Sequence, residues 1–367
     1  MRGNTTHMIK YIFRRLIQSI PTFFGITLLS YLLLWLAPGS VVERLYLAPN
    51  IKAETRARLA AQLGINDPFH IQYLRWLAGD DWLRWDTDGD GVADQSFTLL
   101  AKLDEDGDGV PEPPGDNYGI LRGDFGRSFV KKQPVMDVFM ANLPATLELG
   151  IATVLTSLAI GIPVGVLSAV TRGRAFDNVS RVMAVIFDAI PNFYLAYILI
   201  FIFAVLLDLV PIGGRCVPNL YGVCPPFYVR LVYLILPTFV FAAGFIALFS
   251  RYVRTSTLEV LNQDYIRTAR AKGLSPQVVN FRHAMRNAMI PVATLLGPII
   301  TNIWAGAIVI ETVFAWPGVG RIAFTSAIQQ DYPVVMGIVI FASIGTILGF
   351  LLSDILYVLI DPRIRIH

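Results

Sequence analysis

Two short acidic repeats in the first third of the chain have residue types and spacing that suit calcium. In each repeat, carboxylates stand at the first, third, fifth and ninth positions and a glycine stands at the sixth, as in a calcium-binding loop. The carboxylate expected at the twelfth position is missing, because Phe97 and Gly115 stand there. The pattern favours structural calcium binding with a Kd on the order of 10⁻⁴ to 10⁻³ M; the alternative is a solvated acidic loop that binds nothing tightly. The candidate ligands are Asp86, Asp88, Asp90, Asp94, Asp104, Asp106, Asp108 and Glu112.

A basic, polar segment over residues 264–291 is the second candidate site, because it lies between two long apolar runs. The sequence predicts a helix over 258–272 that ends at Gly273 in a left-handed cap, and a second helix that starts at Ser275-Pro276. A short helix followed by a tight turn suits insertion into a groove on a cytoplasmic partner, since small residues permit close approach and basic ones add electrostatic complementarity. The alternative is that these positive charges only set the membrane orientation. The predicted contact residues are Asp264, Tyr265, Arg267, Thr268, Ala269, Arg270, Ala271, Lys272, Gly273 and Ser275.

The only two cysteines, Cys216 and Cys224, lie in a short loop that the charge pattern places outside the membrane. An oxidising compartment would let them form a disulfide that closes a small loop. The alternative is a pair of free thiols. A metal site is not expected at this loop, because no histidine lies nearby in the sequence.

The elements that must position these residues are apolar helices. The chain is 54% hydrophobic and 16% charged with a mean hydropathy of +0.57, whereas soluble domains carry about 25% charged residues. Six runs without a charged residue approach the ~20 residues that a helix needs to cross a bilayer, where helices satisfy their own backbone hydrogen bonds. Buried helices of a soluble protein are the alternative, but soluble proteins rarely contain even one such run. The runs cover residues 16–37, 149–170, 189–207, 231–250, 287–310 and 332–353.

The placement of lysine and arginine predicts the orientation of these spans. Basic residues cluster before the first run, after the second, after the fourth and after the sixth, whereas the opposite short loops carry only Arg215, Arg230 and Arg321. Both termini should therefore face the cytoplasm. The chain then divides into the N-terminus with span one (1–37), an extracytoplasmic segment (38–144) with the acidic repeats at about 80–116, and a five-span core (145–367) with a cytoplasmic loop at 253–287.

The sequence argues against two other classes of protein. A membrane-embedded hydrolase would need a nucleophile and a base facing each other across spans, and the six charge-free runs contain no His and no Lys. A calcium-dependent adhesion or sensor protein would use its spans only as an anchor, and six spans with a patterned cytoplasmic loop exceed that need. The chain also lacks the phosphate-binding G-x-x-x-x-G-K-[ST] motif, so we do not expect it to hydrolyse ATP. Of the carboxylates at the ends of the runs, Asp188 could line a transport path and Glu311 is expected to cap or pair locally.

Four stretches of the chain carry a resemblance to a known family. They are the loop at 264–288, the segment 311–320 (ETVFAWPGVG), Asp331-Tyr332-Pro333-Val334 and Asp361-Pro362-Arg363. Together with 72–76 and 123–128 they resemble the inner-membrane permease subunits of ATP-binding-cassette (ABC) importers, in the oligopeptide/dipeptide branch. The chain departs from the general importer pattern at Arg267-Thr268-Ala269, where a Glu-Ala-Ala triplet is usual, and in its acidic repeats, which look like an insertion.

The resemblance implies an all-α membrane protein of six transmembrane helices with an extracytoplasmic insertion between spans one and two. It implies a path shared with a second homologous permease, two cytoplasmic ATPase subunits that grip the 265–275 loop, and an extracytoplasmic binding protein that delivers substrate. Di- or oligopeptides are the expected substrates, with oligosaccharides or another small solute as the alternative. The chain should need no cofactor for transport, since ATP and Mg²⁺ belong to the partner subunits. It should lie in the inner or plasma membrane and bind no nucleic acid.

Overall fold

The computed structural model describes residues 2–36, 68–79, 84–85, 95–96, 118–218, 224–275, 278–279, 285, 289–305 and 307–360, and these ranges are mostly helical. The helices are α1 (Arg2–Leu36), α2 (Phe69–Ala78), α3 (Val135–Val170), α4 (Ala175–Ala189), α5 (Asn192–Leu199), α6 (Phe227–Leu261), α7 (Asp264–Ala271), α8 (Ile290–Ala305), α9 (Ile308–Val313), α10 (Val319–Ile328) and α11 (Tyr332–Ile360). A 3-10 turn covers Ile120–Arg122, and α5 continues as a π-helix over Ile200–Leu206. Two short strands, β1 (Arg84–Trp85) and β2 (Gln95–Ser96), pair antiparallel with Arg84 opposite Ser96.

Among the described residues, four helical segments are long and apolar enough to cross a membrane: Phe13–Leu36, Val135–Val170, Phe227–Leu261 and Tyr332–Ser353. Helix α4 and the α5–π segment pass the same criterion together but are bent by 105°. The bend falls at Ile190-Pro191, where the residue before a proline is disfavoured in the helical region and Ile190 is extended. Helix α8 has 16 residues, which is short for a span by itself. The predicted total of six spans therefore remains a prediction.

One predicted helix differs from the structure, and one predicted segment boundary stays a prediction. Helix α3 begins at Val135, so residue 144, the predicted end of the external segment, lies inside this helix. The predicted continuous helix over 258–272 is wrong, because α6 ends at Leu261 and α7 begins at Asp264. Gln263 is extended (φ −75°, ψ 151°) and turns the chain between the two helices.

The chain divides into two compact units. The larger comprises Met1–Ile20, Ala141–Phe324 and Phe341–His367. Its core contains two clusters of buried apolar side chains from α3, α5, α6, α8 and α9. The first cluster includes Leu149, Val240 and Trp316, and the second includes Val166 and Phe249. Helices α3 and α6 contribute to both clusters, so they form the frame that positions the polar residues described below.

The smaller unit comprises Pro21–Met140 and Thr325–Ile340. Its α2 packs through Tyr73, whose ring centroid lies 5.6 Å from that of Tyr31 and whose hydroxyl lies 3.0 Å from Thr27 Oγ1. The buried carboxylate of Asp331 accepts hydrogen bonds from the Ser128 hydroxyl and, at 2.9 Å, from the Phe129 N–H. These bonds fix the segment before α3 to the residue that precedes α11.

Candidate functional site

Helix α7 is a polar helix with a narrow apolar base. Ile266 and Ala269 are 0% and 8% exposed and pack with Val279. Val260 and Leu261, at the end of α6, pack against the same cluster. Eight residues are too few for a helix to be stable by propensity alone, so this packing holds α7 in place beside the end of α6.

The turn after α7 has the backbone that the sequence predicts. Gly273 has φ +76°, in the left-handed region, and its N–H donates to Arg270 O at 3.0 Å. The space around a Cβ at this position is open, so backbone conformation rather than packing explains the glycine. The Ser275 hydroxyl then accepts from the Val278 N–H at 3.4 Å, which is the bond expected of an N-cap.

Nearly all of the predicted contact residues lie on one solvent-exposed segment, which is α7 and the turn after it. Asp264 to Ser275 are solvent-exposed apart from Ile266 and Ala269. Ala269 faces the chain's own apolar cluster, so the small residue that remains accessible to a partner on α7 is Ala271.

Exposed apolar side chains lie beside the polar residues of α7 and its turn. Tyr265, Leu274 and Val278 are 42%, 40% and 37% exposed. Leu274 and Val278 are not among the contacts predicted from the sequence. Their positions on either side of the Ser275-Pro276 pair are the signal that could have found them. A partner that meets this surface would bury apolar side chains as well as pair with charges.

A buried ion pair joins α4 to α6. Asp177, at the start of α4, is 1% exposed and accepts two bonds from Arg254, Nε–Oδ1 at 2.6 Å and Nη2–Oδ2 at 2.9 Å. Ser168 donates to Oδ1 at 2.6 Å, and the Gly173 N–H donates to Oδ2 at 2.9 Å. Both carboxylate oxygens are therefore used. We call this group the Asp177 clamp; no local sequence pattern predicts it.

A second charged group lies around Glu148 of α3. Its Oε2 accepts from Arg215 Nε at 2.7 Å and from Arg215 Nη2, and Arg230 Nη1 lies 3.5 Å away. Within the described part of the chain, Glu148 Oε1 is buried without a hydrogen-bond partner. We call these three residues the Glu148 cluster. From the sequence, the two arginines indicate only the orientation of the spans, although Glu148 directly precedes the second charge-free run.

Another buried carboxylate, Glu311, accepts hydrogen bonds from neutral groups. Thr146 donates to Oε1 at 2.9 Å, and the Arg321 N–H donates to Oε2 at 2.8 Å. Burial raises the pKa of the Glu311 carboxyl, and these two hydrogen bonds oppose the rise. Gly318 is needed here because a Cβ at that position would lie 2.3 Å from the carboxyl carbon of Glu311. The expected local cap at Glu311 thus connects α9, the turn after it and α3.

The remaining predicted residues are Asp188, the two cysteines and the candidate calcium ligands. Asp188 forms an ion pair with Arg251 at 3.0 Å, and both side chains are about half exposed. Cys216 and Cys224 are joined as a disulfide, with a Cα–Cα distance of 5.8 Å. The eight candidate calcium ligands lie outside the described residues. Within the described residues, no group of three or more His, Cys, Asp or Glu side chains is arranged to hold a metal ion.

Two family models match this chain. The model described as "Binding-protein-dependent transport system inner membrane component" matches residues 161–366, and its N-terminal counterpart, "Binding-prot-dependent transport system membrane comp, N-term", matches residues 8–84. The chain therefore belongs to the family of binding-protein-dependent transport system inner membrane components. The resemblance to ABC importer permeases of the peptide branch is confirmed.

Curated relatives match over nearly their whole length. The chain is 37% identical over 360 residues to the oligopeptide transport system permease protein AppB of Bacillus subtilis (strain 168), covering 98% of this chain and 100% of the relative. It is 35% identical over 376 residues to the dipeptide transport system permease protein DppB of Escherichia coli (strain K12), covering 98% and 99%. Among solved structures, a chain from inward-facing conformations of the MetNI methionine ABC transporter matches with a TM-score of 0.48 and 20% identity, covering 63% of this chain and 98% of that one.

Proposed function

We propose that this chain is the permease subunit of an ATP-driven importer that moves di- or oligopeptides across the cell membrane. The family membership and the peptide permeases among its relatives support the substrate class. The observation that carries the coupling role is α7, a polar, exposed helix held on a buried apolar base and closed by the turn at Gly273. We propose that a cytoplasmic ATPase subunit contacts the surface formed by residues 264–275 and Val278.

The proposed arrangement has six transmembrane helices and both termini in the cytoplasm. A second permease completes the path, two ATPase subunits bind and hydrolyse ATP with Mg²⁺, and an extracytoplasmic binding protein delivers the peptide. This chain itself carries no ATPase site. Weak structural calcium binding by the acidic repeats remains part of the proposal, independent of transport.

Movement of α7 would be transmitted to the spans by two direct connections, one covalent and one through packing. Only Asn262 and Gln263 separate α7 from α6, and the apolar cluster of Ile266 and Ala269 packs on the end of α6. The Asp177 clamp then ties α6 to the start of α4 through Arg254. ATP-driven closure of the ATPases would therefore shift α6 and α4 together.

Two alanines on α7 provide the test, because they lie two positions apart in different environments. Ala271→Glu places a carboxylate on the exposed surface, so we expect normal expression and an approximately tenfold loss of co-purified ATPase and of peptide uptake. Ala269→Glu places a carboxylate in the apolar cluster, so we expect poor expression as well. The measurements are ATPase recovery in a mild-detergent pull-down and peptide uptake by intact cells.

Ala271→Ser is the matched control, because it keeps the residue small and should retain both ATPase and uptake. Full ATPase recovery and full uptake by the Ala271→Glu variant would contradict the assignment of α7. Failure of the wild-type chain to recover any ATPase or second permease would contradict the importer function itself.

A further inference from the structure

A cavity of about 240 Å³ lies between α3, α4 and α6 in the larger unit. We call it the α4 cavity, because α4 lines it from Phe176 to Phe187. The lining is apolar apart from Ser180 and Ser250, and both hydroxyls donate to backbone carbonyl groups of the chain at 3.0 Å. A polar ligand would lose its hydrogen bonds with water there, so the cavity favours an apolar one.

The α4 cavity is open to the surface of the helices. Ile160, Phe176, Val179 and Met183 line it and are 39%, 43%, 59% and 40% exposed. Helices α3 and α6, which form its other walls, are both long and apolar enough to cross a membrane. Lipid hydrocarbon chains surround the apolar surface of a membrane span, so they can enter the cavity from the side.

The length of the cavity along α4 suits one acyl chain. The lining residues recur at helical spacing from Phe176 to Phe187, and eleven steps along a helix rise by about 16 Å. The hydrocarbon core of a bilayer is about 30 Å thick, so one leaflet contributes about 15 Å. An acyl chain of a single leaflet therefore has the length to occupy the cavity from one end to the other.

Two arginines stand at the end of the cavity where α4 begins. Arg174 is the N-cap of α4, so its Cα lies within about 7 Å of that of Phe176, and Arg172 lies in the preceding turn. Both side chains are exposed, and neither forms an ion pair or a side-chain hydrogen bond with the part of the chain that the structure describes. The charge pattern predicts that this end faces the cytoplasm, where anionic lipids attract basic residues.

We propose that the α4 cavity binds one acyl chain of an anionic phospholipid, whose headgroup is held by Arg172 and Arg174. The acyl chain fills the apolar walls, and the negative headgroup at its end meets the two unpaired guanidinium groups. A neutral phospholipid has the same acyl chain but no net charge for the arginines, so the site should prefer the anionic lipid. The inference holds whichever solute the chain transports.

Photocrosslinking with two lipids that differ only in the headgroup tests the inference. The full chain, with the subunits that co-purify with it, is placed in nanodiscs that contain phosphatidylglycerol or phosphatidylcholine with the same diazirine-labelled acyl chain. Exposed apolar residues of α11, such as Leu348 and Phe350, report contact with bulk lipid. We expect the ratio of phosphatidylglycerol to phosphatidylcholine crosslinks at 176–187 to exceed the ratio at α11 approximately tenfold.

The headgroup contact is tested by removing single charges. Arg172→Gln and Arg174→Gln should each lower the ratio at 176–187 about fivefold. Arg181→Gln is the matched control, because Arg181 is also exposed and on α4 but does not line the cavity, and the ratio should stay within about twofold of wild type. Arg174→Lys keeps the charge and should retain most of the preference.

The acyl-chain contact is tested by filling the cavity. Val179→Trp places an indole at a lining position and should lower the crosslink yield of both lipids at 176–187 severalfold. Val185→Trp is its control, because Val185 is 61% exposed, like Val179, but does not line the cavity. Equal lipid ratios at the cavity and at α11, or a ratio that both arginine variants leave unchanged, would overturn the inference. Absence of lipid crosslinks at 176–187 would overturn it as well, and would show that another protein surface or a peptide covers the cavity.

Discussion

The Asp177 clamp and the Glu148 cluster use the same residue types in opposite ways. Asp177 binds one arginine through both oxygens, and Ser168 and Gly173 supply further donors. Glu148 binds two arginines through one oxygen and leaves the other unpaired among the described residues. Both oxygens of the clamp carboxylate are paired, whereas in the cluster the buried Glu148 Oε1 and Arg230 Nε lack a hydrogen-bond partner in the part of the chain that the structure describes.

This difference separates a fully paired buried ion pair from a partly paired one. A buried charge pair is held best when every lone pair and proton has a partner, and the clamp meets that condition between α4 and α6. We therefore expect a given substitution to lower the free energy of unfolding more at Asp177 than at Glu148.

The largest expected effect comes from Asp177→Ala. It leaves Arg254 without its bidentate partner and removes the acceptor of the Ser168 hydroxyl, so the free energy of unfolding should fall by about 3 kcal/mol. Denaturant titration of the purified chain in mixed micelles measures the change. Arg254→Lys, which keeps the charge but not the fork geometry, should cost about half as much. Equal stability of wild type and Asp177→Ala would show that the clamp is not structural.

A second prediction extends the comparison to Glu311, whose donors are neutral. Gly318→Ala would bring a Cβ to 2.3 Å from the buried Glu311 carboxyl carbon, so we expect a loss of about 2 kcal/mol from overpacking. Gly244→Ala is the control, because a Cβ there meets nothing within 4 Å and alanine favours the interior of α6. The control should be neutral or slightly stabilising in the same denaturant titration. Comparable stabilities of the two variants would contradict the packing of Gly318 on Glu311.

Glu148→Gln should have a smaller effect on stability than either change. Glutamine keeps the chain length and one acceptor for Arg215, so we expect the unfolding free energy to fall by about 1 kcal/mol or less. Asp177→Asn is the matched comparison, since it makes the same chemical change at the clamp and should cost clearly more. If the two amides destabilise the chain equally, the distinction between the two carboxylates is lost.

The sequence was informative where a local pattern determines the structure. The Gly273 turn and the Ser275 cap were predictable, because glycine and Ser-Pro have strong conformational preferences. The charge-free runs at 16–37, 231–250 and 332–353 likewise correspond to parts of α1, α6 and α11, since length and hydropathy are properties of the segment itself.

The polar partnerships could not be predicted in the same way. Asp177 and Arg254 lie 77 residues apart in the sequence, and Glu148 and Arg215 lie 67 apart, so no local pattern links them. The break between α6 and α7 was missed because Asn262 and Gln263 are compatible with a helix. The turn lets Ile266 and Ala269 pack beside Val260 and Leu261, and helix propensity alone does not reveal that packing.

The last comparison is between two positive-φ glycines, one in the Asp177 clamp and one at the end of α7. Gly173 (φ +78°) donates its N–H to Asp177, whereas Gly273 (φ +76°) ends α7, and a Cβ at either position meets nothing within 4 Å. Alanine at either position should therefore cost only the left-handed backbone strain, about 1 kcal/mol. Gly273→Ala should in addition lower ATPase co-purification, because it shifts Leu274 and Ser275 relative to α7, while Gly173→Ala should leave co-purification unchanged.

Asparagine tolerates the left-handed region, so Gly273→Asn should recover most of the loss. Equal ATPase recovery by the two alanine variants would mean that the turn does not set the docking geometry, and that the exposed face of α7 alone carries the contact.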